Sequence, residues 1–260
     1  MKTRKRQRRH FFAAAAILLL ILLSLCIQFH RFQSRYSGSN PIILAFAKEN
    51  GLRPSDWPTD LVQMLERNPE AEEFVLNYPL LHDRQLPIDL SQYTAAEEVP
   101  LLLQWDPRWG YQTYGSGMIG QTGCGPVCLS MVCLYLLDDP SLDPATIADF
   151  SRRNGYCVPG NGTSWTLISE GGKKLGLDIT EIPLVESIIT DNLKAGNPII
   201  CVMGPGDFTA TGHYIVMTGY KDGKIRVNDP NSPLRSQTLW SFHRIQDQIR
   251  NLWVCKQPLT

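Results

Sequence analysis

At 260 residues, 43% apolar and 19% charged, the chain is long enough for one ordinary domain with additions and apolar enough for a real core. Its 25 basic and 25 acidic residues balance, but six of the basic ones precede residue 10. Past residue 30 the net charge is −6, which argues against a nucleic-acid partner.

The chain opens MKTRKRQRRH and continues FFAAAAILLLILLSLCIQF, so a basic cluster is followed by 19 uncharged residues, Phe11 to Phe29. Spanning a bilayer takes roughly 20 apolar helical residues. The pattern predicts a transmembrane signal anchor over 11–29, with residues 1–10 as a cytoplasmic basic segment and everything beyond on the outside. No small-x-small site follows the run, and Leu25 stands where a lipoprotein signal would place a small residue before Cys26. An uncleaved anchor is therefore preferred to a cleaved signal peptide, which would leave a secreted protein. The expected location is the cell membrane, single-pass, with an extracellular catalytic domain.

Residues 30–97 read as a spacer and short helical stalk. "RFQSRYSGSN" is polar, and "PIILAFAKENG" and "PTDLVQMLERNPEAEEFVLNYP" predict two or three short helices, with Leu61, Met64 and Leu65 at helical spacing. "LLHDRQLPIDLSQYTAAEEVP" is a connector.

From residue 98 to 260 the texture is that of a compact domain. "PLLLQWD" is a strand candidate, and "PVCLSMVCLYLL" (126–137) is apolar nearly all round, a buried helix starting at Pro126 with Gly125 as its cap. "DPATIADFSRRNG" predicts a helix capped by Asp143, with Pro144 at its first position and Gly155 as its stop. "TSWTLISEGGKKLG" and "VESIITDNLKAG" repeat that grammar. Then the period changes: "NPIICVMG" reads as a buried strand, "GHYIVMTGYKDGKIRVNDP" as a hairpin turning at Asp222-Gly223, and "LWSFHRIQDQIRNLWVCK" as a short helix and a last strand. Helices followed by an antiparallel sheet predict an α+β fold, a central buried helix packed on the sheet.

Three cysteines fall within "GCGPVCLSMVC". Cys124 precedes the helix, where unpaired backbone donors and the positive dipole end favour a thiolate, and its flanking glycines leave it approachable. Cys128 and Cys133 lie inside the apolar helix as packing. These spacings lack CxxC pairs, so zinc is set aside and neither metal nor cofactor is expected. A thiolate nucleophile needs a base held by a third group. Among five histidines, only His213 stands between a glycine-rich turn, "GPGDFTATG", and a β run. The hairpin folds Asn228 and Asp229 back towards it. A strict two-residue turn would put Asn228 on the face of His213, and a three-residue turn with a bulge would put Asp229 there. Either group could accept the imidazole Nδ1–H.

The order Cys, His, Asp, with "QWDPRWG", "GCGPVCLSMV", "GHYIVMTGY" and "VNDPNSP", resembles the papain-clan cysteine peptidases related to the bacteriocin leader (double-glycine) peptidases, in the branch exported by Gram-positive bacteria. The resemblance covers about residues 98–256 and implies a papain-like fold, Cys124 as nucleophile, His213 as base and Asp229 as orienting group. It matches Gln104 to the glutamine that donates to the oxyanion. Gln121, three residues before Cys124, is the alternative, but it is too close along the chain to turn back beside the thiolate, whereas Gln104 can cross from elsewhere.

The activity implied is that of a cysteine peptidase or amidase, cleaving peptide or isopeptide bonds in peptide or cell-envelope substrates, as a monomer. A transglutaminase-type acyl transferase and a catalytically silent peptide- or glycan-binding surface module are the alternatives.

Overall fold

In the computed structural model the described residues are 17–28, 40–158, 160 and 162–258. The chain divides into two compact units, Met1–Pro79 and Leu80–Thr260.

The transmembrane segment expected over Phe11–Phe29 is not borne out. Its described part, residues 17–28, is a helix, and twelve residues at about 1.5 Å each extend about 18 Å. A hydrocarbon core is about 30 Å thick. Among the described residues no helix is long and apolar enough to cross a membrane, and residues 1–16 and 29–39 lie outside them. The single-pass membrane location and the extracellular placement rested on this segment and fall with it.

The described residues of the first unit also hold α1 (Pro41–Asn50), α2 (Thr59–Arg67) and α3 (Glu72–Leu81), whose last two residues belong to the second unit. Asn40 caps α1, its side-chain oxygen accepting from the N–H groups of Ile42 and Ile43 at 3.1 and 3.2 Å. Trp57 is the centrepiece, fully buried, edge-on to Phe46 and donating its indole N–H to the carbonyl of Val75 at 2.8 Å.

The second unit is built on a six-stranded antiparallel sheet. In chain order the strands are β5 (Asp178–Glu181), β6 (Ile199–Met203), β7 (His213–Lys221), β8 (Lys224–Asn228), β9 (Leu239–Trp240) and β10 (Ile249–Lys256); in space the order is β5-β10-β6-β7-β8-β9. Alternation along the strands sorts two cores. Ile200, Val202, Tyr214, Val216 and Trp253 face the long helix α4 (Cys124–Leu137), and Ile199, Cys201, Met203, Ile215 and Met217 face α6 (Glu186–Lys194) through Ile189 and Leu193. Each large aliphatic side chain so buried contributes about 1.5–3 kcal/mol before the entropy cost. The side chains of α4 are buried from Val127 to Leu134, which makes it the rigid centre of the unit. The expected α+β arrangement, a buried helix on an antiparallel sheet, is therefore borne out.

After α4 in the chain, α5 (Pro144–Arg153) carries the expected Asp143 cap, with Asp143 Oδ1 accepting from the N–H groups of Ala145 and Thr146. Two small hairpins, β1 (Thr113–Tyr114) with β2 (Gly117–Met118) and β3 (Cys157–Val158) with β4 (Gly162–Thr163), have no counterpart in the sequence reading.

Three local expectations are corrected. "PLLLQWD" is not a strand: Pro100 lacks a donor, and Gln104 gives its N–H to the loop carbonyl of Pro230 at 2.7 Å rather than to a ladder. The "TSWTLISEGG" helix has a wide π-type turn at Leu167–Gly171. Finally, α4 begins at Cys124, two residues before the expected start. Pro126 is tolerated there because first-turn N–H groups have no helical partner to lose.

Candidate active site

Cys124 is the first residue of α4, directly after a tight turn at Ile119–Thr122. Gly123 makes that turn possible, since a Cβ there would stand 2.7 Å from the carbonyl oxygen of Ile119. Gly125 lets β4 close in from the other side, because a Cβ would meet the Thr163 side chain at 2.7–2.8 Å. Behind that contact, the Tyr114 hydroxyl bonds both Thr163 Oγ1 (2.9 Å) and Ser151 Oγ (2.8 Å). The two glycines thus hold Cys124 in a narrow seat, half-buried and unpaired with any other cysteine.

His213 opens β7, and its ring interacts with Cys124 on one side and is hydrogen-bonded to Asp229 on the other. Nε2 lies 2.7 Å from Asp229 Oδ1. The orienting contact is therefore made through Nε2, not through the Nδ1–H expected, and Nδ1 is the ring nitrogen left for the thiol.

Asp229 meets His213 because of a bulge in the strand. The hairpin turn has only two residues, Asp222 and Gly223, both at positive φ (53° and 75°), a geometry that suits a two-residue hairpin loop. That turn alone would deliver Asn228. Pairing shifts between Met217 and Gly219, however, so that Val216 faces Asn228. One step further along this register sets Asp229 opposite Ile215, on the same side of the strand as His213. Asn228 turns away and donates its amide to the carbonyl of Val99 at 2.9 Å.

The electrostatics follow from these contacts. Burial pulls His213 towards neutrality, but the charge and hydrogen bond of Asp229, aided by Cys124, override it and raise its pKa to about 10. Burial also pushes the Cys124 thiol up. The His213 hydrogen bond and charge, with backbone N–H groups of Tyr214 and Gly125, outweigh burial and hold the thiol below its usual value. Asp229, fully buried, would be driven neutral by desolvation, yet His213 and then Arg235 keep it below the ordinary carboxylate range. The arrangement favours a thiolate–imidazolium pair. Cys128 receives none of this: burial first, then the nearby Cys124 and Asp229, raise its thiol well above the usual value.

Gln104 is 4% exposed and donates its side-chain amide to the carbonyl of Gly120 at 2.8 Å. With its backbone N–H on Pro230, it ties the loop before Cys124 to the loop after Asp229. Gln121 accepts the Met118 N–H within its own turn at 3.2 Å.

One residue at the site escaped the sequence reading. Arg235, on the short helix α7 (Pro233–Gln237), donates from Nε to Asp229 Oδ2 at 2.5 Å. The signal was a lone basic side chain six residues after a candidate acid, beyond a Ser-Pro helix start. Among the described residues, no group of three or more His, Cys, Asp or Glu side chains is placed to hold a metal ion.

No curated protein matches the chain. Two solved structures are similar. The peptidase domain of Streptococcus ComA, described as a bi-functional ABC transporter involved in a quorum sensing pathway, is 22% identical with a TM-score of 0.44, over 62% of this chain and 99% of that one. A protein from Bacillus anthracis described as a C39-like peptidase is 14% identical with a TM-score of 0.42, over 66% of this chain and 98% of that one. Residues 96–254, more than half of the sequence and all of the residues just described, match the model of the Peptidase_C39 like family, and the chain belongs to that family.

Proposed function

We propose that the chain is a cysteine peptidase acting through Cys124, His213 and Asp229, with residues 98–260 as the peptidase domain and peptides as its substrate class. The observation that carries this reading is a buried imidazole hydrogen-bonded to a fully buried carboxylate and interacting on its other side with a half-buried thiol at a helix start. Family membership supports the peptidase reading at the coarser level.

In the proposed cycle, the Cys124 thiolate attacks the scissile carbonyl carbon, forming the C–S bond and an oxyanion. The backbone N–H of Cys124 and the Gln104 side-chain amide are the proposed donors to that oxyanion. As the tetrahedral species collapses, His213 gives its proton to the leaving amine, the C–N bond breaks and a thioester remains. His213, now neutral, takes a proton from water as the water attacks the thioester. Cys124 leaves as a thiolate and the ion pair is restored. Asp229, fixed on Nε2, holds the ring so that the same nitrogen serves both steps.

Exposure to a peptide library, beside a Cys124→Ser protein, tests the reading. Cleavage by the wild type only, with an acyl adduct on Cys124 in trapped samples, is expected. A wild-type protein that cleaves nothing, and whose Cys124 reacts with iodoacetamide no faster than Cys128 at neutral pH, would overturn it.

A further inference from the structure

The two oxygens of Asp229 are divided between opposite sides. Oδ1 accepts from His213 Nε2 and from the N–H of Asn231 at 2.8 Å, while Oδ2 accepts from Arg235 Nε. Arg235 is itself held in place. Ser232 caps its helix and accepts its N–H at 3.1 Å, and the Trp240 indole donates to its carbonyl at 3.1 Å. Next along the helix, the Ser236 hydroxyl accepts the N–H of Asp229 at 2.9 Å. A five-residue helix is thus pinned to the Asp229 loop at several points, and its arginine side chain, about a quarter exposed, ends on the one carboxylate that touches the base.

Building on the triad reading, we propose that Arg235 is a positioning residue: its guanidinium keeps Asp229 ionised and fixes the plane of its carboxylate throughout the cycle. The need for it arises from the chemistry. His213 is a cation only part of the time, because it surrenders its proton to the leaving amine and recovers one from water. While the imidazole is neutral, a carboxylate with no solvent exposure and no other cation would tend to take up a proton and rotate. Arginine does not titrate in the working range, so it supplies a constant counter-charge that His213 cannot. The groups that face Asp229 are His213 from β7, Arg235 from α7 and the Cys128 thiol from α4, which burial keeps neutral. Removing the guanidinium raises the carboxylate's proton affinity. It also makes the field at Cys124 more negative. Both effects move ionisation of the Cys124 thiol to higher pH.

The test measures the rate of Cys124 alkylation by iodoacetamide against pH, read by mass spectrometry on the full chain, in wild type, Arg235→Gln and Arg235→Lys. The midpoint for Arg235→Gln should lie higher by about one pH unit, the low end for losing an adjacent arginine. Arg235→Lys should recover at least half of that shift, since it restores charge without the planar fork. On a cleaved peptide, kcat of Arg235→Gln should fall about 10-fold to 100-fold while KM changes little, as for an interaction made after binding. An unchanged midpoint in Arg235→Gln, with a wild-type Cys124 that is selectively reactive, overturns the inference and leaves the triad reading standing. An unreactive wild-type Cys124 overturns both. A variant that loses thermal stability but keeps the wild-type midpoint assigns Arg235 a purely structural part and also overturns the inference.

Discussion

The first turn of α4 and its second carry the same side chain in opposite chemical states. Cys124 sits where backbone N–H groups have no helical partner, and it receives two of them together with an imidazole. Cys128, one turn on and fully buried, lies within the apolar cluster around α4, where charge has nothing to balance it. The difference teaches that thiol reactivity belongs to the position. Four residues along one helix separate a thiol held below its usual pKa from one pushed well above it.

Exchanging the sulfur at the reactive end breaks the comparison most severely. Cys124→Ser should lower turnover at least about 10⁴-fold, as loss of a nucleophile does, with the circular dichroism spectrum unchanged. Asp229→Asn removes the influence that separates the two cysteines, and activity should drop roughly 10³-fold, somewhat less than for the corresponding change in serine triads. It should also alter how stability varies with pH. In the wild type, the raised His213 pKa gives a stabilising contribution that is complete below 6.5 and disappears as pH rises through about 10. The lowered Asp229 pKa gives one that is present above 3.8 and is lost as pH falls through the depressed value. Melting temperatures of Asp229→Asn across that range should vary less than those of the wild type. Gln104→Ala should cost about 10²-fold in kcat, the lower end for an oxyanion donor, and leave alkylation of Cys124 intact. At the inert end, Cys128→Ala should leave activity within about 2-fold and destabilise the fold by about 1–2 kcal/mol, visible as a lower denaturation midpoint.

Much of this contrast could be read from residue order alone. A thiol between glycines before an apolar run, and a histidine entering a β run, each carry a local signature that the fold respects. The helix itself was legible, although Pro126 made it seem to begin at residue 126 when it begins at Cys124. What escaped the sequence was set by non-local contacts. Whether Asn228 or Asp229 meets His213 depends on a bulge between Met217 and Gly219 that nothing in "VMTGYKDGKIRV" announces. "PLLLQWD" has the short apolar run of a strand, but its backbone is claimed by the loop at Pro230. Arg235 reaches Asp229 only because a Ser-Pro turn starts a helix there. The N-terminal apolar run passes a length count, yet its described helix is too short to span a bilayer.

The bulge at Thr218 makes the site a matter of odd and even. With a two-residue turn and unbroken pairing, every side chain of β8 would swap faces, and the imidazole would meet the amide of Asn228 in place of the carboxylate of Asp229. Pairing Thr218 into the ladder would therefore exchange an acid for an amide at the heart of the site and turn Asn228 away from Val99, whereas deleting Thr218 would close the gap and leave Asp229 opposite Ile215. In this hairpin the spare residue works as a selector between two chemistries, and its being left out of the ladder, more than its identity, makes the choice.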